Sequence, residues 1–228
     1  MTSSALPVAV VLSGSGVYDG SELTEAVSLI VALSQAGLDV AFFAPNRPQM
    51  HVIDHAQGQV AEESRNILTE SARIARGKIH ALDELDVANY AAIVMPGGFG
   101  AVKNFTDFLT AGDKAQLADD IGQVLRQALQ SKKPVVALCA APLAVAIAAR
   151  DVGLSNVQLT LGDCEYPDMV KAAASWGIPH VVTAVDQACV DHNNAIITAP
   201  AYMYGDATPA QVFTAAQQAV HALVKLLS

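Results

Sequence analysis

Short unbroken apolar runs alternate along the chain with longer stretches in which apolar residues recur every three or four positions. Val8–Leu12 is unbroken and ends in Ser13-Gly14-Ser15-Gly16. From Ser21 to Ala36, apolar residues fall at Leu23, Ala26, Val27, Ile30, Val31 and Leu33, a helical spacing stopped by Gly37. Asp39–Ala44 predicts a second strand, ended by Pro45. Residues 46–61 are irregular, with a hairpin expected around His51–His55. Helices are then expected over Glu62–Ala75, Asp113–Gln130, Ala140–Ala149, Glu165–Ser175 and Pro209–Leu227. Strands are expected at Ala91–Met95, Pro134–Leu138, Gln158–Leu161, Val181–Val185 and Ala195–Thr198.

Strands that are apolar throughout and alternate with helices predict an α/β protein, a parallel sheet covered on both faces. There is no internal repeat and no low-complexity linker, so residues 1–228 are expected to form one domain. Ligands of such sheets sit beyond the carboxyl ends of the strands. That rule places the loops 13–20, 96–100 and 139–140 together and puts the expected chemistry among them.

Composition narrows the partners. With 13 Lys and Arg against 22 Asp and Glu, the formal charge is −9, and no basic tract is present. Nucleic acid and anionic membrane surfaces are therefore not the expected partners. The longest apolar run, Val135–Ala149, contains Pro142 and is shorter than the ~20 residues of a spanning helix. It reads as a buried segment. The first basic residue is Arg47, so no secretory signal peptide is expected. Three cysteines without a CxxC pair fit a reducing compartment, and a cytoplasmic protein is expected.

Cys139 is the candidate nucleophile. It follows the strand Val135–Leu138 and precedes a helix that carries Pro142 in its first turn. A cysteine at such a turn presents its sulfur at the sheet edge, where the helix N-terminus is expected to favour the thiolate. The alternative is a buried small hydrophobe, the role also given to Cys164 and Cys189. Pro96-Gly97-Gly98-Phe99-Gly100 ends another strand, and its glycines let the backbone approach a ligand and turn N–H groups inward. Glu22, at the start of the first helix, is an acid or base candidate or else a capping carboxylate.

Other motifs fail. Gly14, Gly16 and Gly20 are one residue too widely spaced for a dinucleotide loop, and no acidic residue ends the second strand. His51, Asp54 and His55 lack a convincing set of further metal ligands. No metal and no cofactor is expected.

The segments Ser13–Glu22, Pro96–Gly100 with Lys103-Asn104, and the Cys139 turn resemble the ThiJ/PfpI superfamily. Within it the chain is similar to the ElbB group, isoprenoid-biosynthesis-associated proteins with a glutamine-amidotransferase-like fold. Arg65-Asn66, Ala72-Arg73-Ile74, Leu159-Thr160 and Thr198–Met203 share the likeness, which runs over nearly the whole chain. The resemblance implies a flavodoxin-like three-layer sandwich with Cys139 as a reactive thiol. It implies that Glu22 is the carboxylate beside that thiol, and that Gly97, Gly98 and Ala140 supply an oxyanion and substrate site. It further implies a glutathione-independent glyoxalase that turns glyoxal into glycolate. A homodimer is expected. A deglycase reading of the same chemistry exists in the superfamily.

Many superfamily members carry a His downstream of the Cys, where this chain reads Leu161-Gly162-Asp163-Cys164. A Cys–carboxylate dyad is therefore expected in place of a triad. No His is followed two residues later by Glu, so the His-x-Glu pair of glutamine hydrolysis is missing. The expected substrate is a small aldehyde. The competing possibilities are a non-catalytic redox sensor with a reactive thiol, or a chaperone-like homodimer supporting the isoprenoid pathway.

Overall fold

The computed structural model describes residues 6–163 and 165–228. The expectation for Cys164 lies outside these residues. A seven-stranded sheet runs through the centre. Its strands are β1 (Val8–Val11), β2 (Val40–Ala44), β5 (His80–Ala81), β6 (Ile93–Met95), β7 (Val135–Leu138), β8 (Cys189–Asp191) and β9 (Ile196–Ala199), in the spatial order β5-β2-β1-β6-β7-β9-β8. Every pairing is parallel except β8 with β9. A separate hairpin joins β3 (Ile53–Asp54) to β4 (Gln59–Val60). β1 and β7 are buried along their whole length, as expected of strands covered on both faces.

Helices α1 (Leu23–Gln35), α2 (Ile67–Ile74), α5 (Asp119–Gln130), α6 (Pro142–Asp151), α7 (Pro167–Ser175) and α8 (Pro209–Leu227) surround the sheet, and two short turns, α3 (Gly100–Lys103) and α4 (Phe108–Ala111), follow β6. This is the flavodoxin-like sandwich. α6 carries apolar residues on all sides because it is buried on all sides. No helix among the described residues is long and apolar enough to cross a membrane.

Some expectations need correction. Gln158–Leu161 and Val181–Val185 are not strands; Leu159 makes an isolated bridge with His180, and the Val181 N–H donates to the Leu159 carbonyl at 2.9 Å. The last part of the sheet is instead closed by β8, too short to show a strand pattern. The helix expected from Glu62 starts at Ile67, where the Asn66 side chain caps the Thr69 N–H at 3.1 Å. The helix expected from Asp113 starts at Asp119, and the helix expected from Ala140 starts at Pro142.

The rotation of α1 matters most. Its buried residues are Glu25, Ala26, Ser28, Leu29, Ala32 and Leu33. Leu23 and Val27, counted on the apolar stripe from spacing alone, are 48% and 53% exposed, and Val31 is exposed with them. The face turned to the sheet therefore carries a carboxylate.

Candidate functional site

Three loops converge at the carboxyl end of the sheet. The segment after β1 doubles back on itself: the Ser13 N–H donates to Ser21 Oγ at 2.9 Å, and the Gly16 N–H to the Ser21 carbonyl at 2.9 Å. It is clamped to the loop after β6 by Glu22 N–H to the Gly97 carbonyl (2.9 Å), Phe99 N–H to the Val17 carbonyl (2.7 Å) and Gly100 N–H to the Gly20 carbonyl (3.0 Å). Asn104, almost wholly buried, completes the joint. Its amide donates to the carbonyls of Ser13 (2.8 Å) and Asp19 (3.0 Å), and its Oδ1 accepts from the Met50 N–H (2.9 Å).

Glycine is required where these loops touch. A Cβ on Gly97 would lie 2.5 Å from Cys139 Cβ and 2.9 Å from a Glu25 carboxylate oxygen. A Cβ on Gly98, whose φ is +94°, would lie 2.4 Å from the Gly20 carbonyl oxygen.

Cys139 stands at the end of β7 with φ +57°, a left-handed conformation that costs a side-chain-bearing residue about 1–2 kcal/mol. Its N–H donates to the Ala199 carbonyl at 2.9 Å, which fixes the turn. The sulfur receives hydrogen bonds from the backbone N–H groups of Gly98 and Ala140. The structure brings together the predicted elbow and the two residues, Gly98 and Ala140, that the resemblance assigns to an oxyanion site. Cys139 is only 7% exposed, at the floor of a cavity of about 50 Å³ lined by Val17, Phe99, Tyr166, Met169, Tyr202 and Met203.

The carboxylate beside the sulfur is Glu25, not Glu22. Glu22 is the N-cap of α1, its Oε2 accepting from the Glu25 N–H at 2.7 Å. One turn on, Glu25 points from the helix into the sheet edge and is fully buried. Its Oε2 accepts from the Gly97 N–H at 2.8 Å, its Oε1 from the Tyr202 N–H at 3.4 Å, and the carboxyl is hydrogen-bonded to the Cys139 thiol. This also reassigns Gly97, whose N–H holds Glu25. The cue in sequence was a Glu four residues before Leu29 and seven before Ala32, on the buried stripe.

Burial pushes the Glu25 carboxyl up to about 8, with the nearby Glu22 charge adding to it and the bonds from Gly97, Cys139 and Tyr202 opposing. Burial also pushes the Cys139 thiol well up, helped by Glu25, while the Gly98 and Ala140 N–H groups recover only part of this. The expectation that the helix N-terminus favours the thiolate is therefore corrected: desolvation wins. In the neutral range the pair holds its protons, and the first to leave does so near pH 8.

Among the described residues, no His lines this cavity. His180 stands off the lining, and its Nδ1 accepts from the Leu161 N–H at 3.0 Å. His55 serves the structure instead. Its Nε2 accepts from the Tyr18 N–H (3.2 Å) and its Nδ1 faces the Ile53 carbonyl (3.0 Å), tying the β3–β4 hairpin to the loop after β1. Asp54 caps the hairpin turn at the Ala56 N–H, 2.9 Å away.

Comparison with known proteins agrees with this architecture. The human glutamine amidotransferase-like class 1 domain-containing protein 3, mitochondrial, is 46% identical over 202 residues, 87% of this chain and 75% of the relative. The rat ES1 protein homolog, mitochondrial, is 45% identical over 199 residues, 86% and 75% of the two chains. Both relatives are named as mitochondrial proteins, which overturns the cytoplasmic expectation. A crystal structure of an isoprenoid biosynthesis protein with amidotransferase-like domain from Ehrlichia chaffeensis superposes with a TM-score of 0.90 at 32% identity, covering 98% of this chain and all of that one. The DJ-1/PfpI family model matches residues 15–207, a span from the loop after β1 to the turn before α8 that includes both Glu25 and Cys139, and the chain belongs to that family.

Proposed function

We propose that the protein is a cofactor-independent glyoxalase that converts glyoxal, and other small 2-oxoaldehydes, to the hydroxy acid. The observation that carries the reading is the buried Cys139–Glu25 pair at the floor of a cavity sized for a few heavy atoms. The reaction needs one nucleophile and one group that moves a proton between adjacent carbons, and this pair supplies both.

Loss of one proton from the pair leaves sulfur and carboxyl sharing the other. As the sulfur adds to one carbonyl carbon, the shared proton passes to the carbonyl oxygen, giving a hemithioacetal and a Glu25 carboxylate. The carboxylate takes the hydrogen from that carbon as a proton, giving an enediolate; the hydroxyl proton on the first oxygen moves to the second oxygen, and Glu25 delivers its proton to the second carbon. The product is a thioester bearing a hydroxymethyl group. Water cleaves the thioester, releasing glycolate and restoring the thiol. The N–H groups of Gly98 and Ala140, which donate to the sulfur, support this reading as donors to the oxygen that becomes negative. The missing His-x-Glu pair, with no His among the described residues of the cavity lining, points away from glutamine hydrolysis.

The test is glycolate formation from glyoxal by the parent and by Cys139→Ser. The substitution is nearly isosteric, and an alkoxide is not accessible at neutral pH, so turnover should fall at least about a thousandfold with the thermal melt unchanged. Turnover near the parent's would overturn the reading.

A further inference from the structure

In this reaction the Tyr166 hydroxyl has no part so far. A 1,2-dicarbonyl held on Cys139 has two oxygens. One sits at the Gly98 and Ala140 N–H groups; the other accumulates charge as the enediol forms. The walls of the cavity offered by Val17, Phe99, Met169 and Met203 are apolar and cannot stabilise it.

Tyr166 precedes Pro167 at the start of α7 and lines the same cavity as Cys139. Its ring is set edge-on against Phe99, 6.2 Å between centroids at 70°, a favourable aromatic geometry that fixes its plane. It is half-buried, and its hydroxyl makes no hydrogen bond among the described residues. The lining holds a second tyrosine, Tyr202, whose backbone N–H donates to Glu25 and whose hydroxyl serves as the control for a phenol in the same lining. Tyr166 also follows closely on Leu161–Asp163, the stretch in which no His is present.

We propose that Tyr166 is a further catalytic residue, donating a hydrogen bond from its hydroxyl to the second oxygen of a dicarbonyl bound at Cys139. The assignment rests on the aldehyde reading above. Burial and the neighbouring Cys139 charge both raise the phenol's pKa, so the hydroxyl keeps its proton in the neutral and mildly alkaline range and acts as a donor throughout. No bond to it is made or broken. A hydrogen bond to a charged oxygen in a poorly solvated site is worth about tenfold to a hundredfold in binding or rate.

The experiment is protection of Cys139 from iodoacetamide by glyoxal, followed by peptide mass spectrometry in the parent, Tyr166→Phe and Tyr202→Phe. Without glyoxal, the three proteins should alkylate within about twofold of one another, showing an undisturbed thiol. Tyr166→Phe should need at least about ten times more glyoxal for half-protection, and its turnover should fall by a similar factor. Equal protection in parent and Tyr166→Phe overturns the proposal while leaving the aldehyde reading standing, as does a shift confined to Tyr202→Phe. No protection of the parent at any concentration overturns both.

Discussion

Glu22 and Glu25 are three residues apart and do opposite work. Glu22 caps a helix in solvent reach, whereas Glu25 is fully buried against sulfur. Glu25→Gln keeps the shape and can still accept from one backbone N–H, but it cannot carry a proton between carbons. Glyoxal turnover should drop at least about a hundredfold, within the range general acid–base groups contribute. Glu22→Gln removes a charge that pushes the Glu25 carboxyl up. Turnover should rise with pH through about 8 in the parent, as the pair loses its first proton, and in Glu22→Gln that rise should move to lower pH. A profile that stays in place would mean that Glu22 does not act on the pair. Glu22→Ala removes the cap as well and should cost about 1 kcal/mol by denaturant titration.

Among elements, the site is as rigid as the joint between the loop after β1 and the loop after β6. Asn104 makes two buried hydrogen bonds across it and a third, partly buried, to Met50 in the segment after β2. Asn104→Ala leaves those partners unsatisfied and should destabilise by about 2–4 kcal/mol in chemical denaturation. Because Gly20, Gly97 and Gly98 belong to the same joint, turnover should fall with stability. Gly97→Ala is the sharper test of packing. Its new methyl would sit 2.5 Å from Cys139 Cβ, so backbone must move, at a cost of about 3 kcal/mol. A variant of full stability and full thiol reactivity would show that the two loops are not locked together.

For the whole molecule, the buried carboxyl is a pH-dependent burden. Its folded pKa of about 8 lies above the 4.5 of an unfolded glutamate. Between these values the folded state holds a proton that the unfolded state has lost. This contribution to stability is complete below about pH 4.5, declines as pH rises, and is gone above about pH 8. The full span corresponds to roughly 5 kcal/mol, an upper bound set by a rigid, dry site. Glu25→Gln does not titrate, so its stability should decline less between pH 5 and 8, and the two curves should converge toward acid or cross. Parallel curves would show that Glu25 is ionised in the fold at neutral pH.

Much of this protein was legible in one dimension. Alternation of apolar runs with helical spacing determined the parallel α/β class, since strands buried on both faces have no polar side to show. The position of Cys139 between a strand and a Pro-bearing helix start determined the elbow, and the paired glycines after β6 determined where backbone approaches sulfur. These are local facts of chain geometry. The identity of the carboxylate was not local. Spacing placed Leu23, Val27 and Val31 on the buried stripe, whereas the packing of α1 turned Glu25, Leu29 and Ala32 inward. A helix as rich in apolar residues as α1 has apolar candidates on several faces, so only contact with the sheet decides its rotation. The protonation of the pair was likewise decided in three dimensions. The helix N-terminus behind Cys139 is visible in sequence, but the burial that outweighs it exists only once α1, β6, β7 and the turn after β9 have closed around the sulfur.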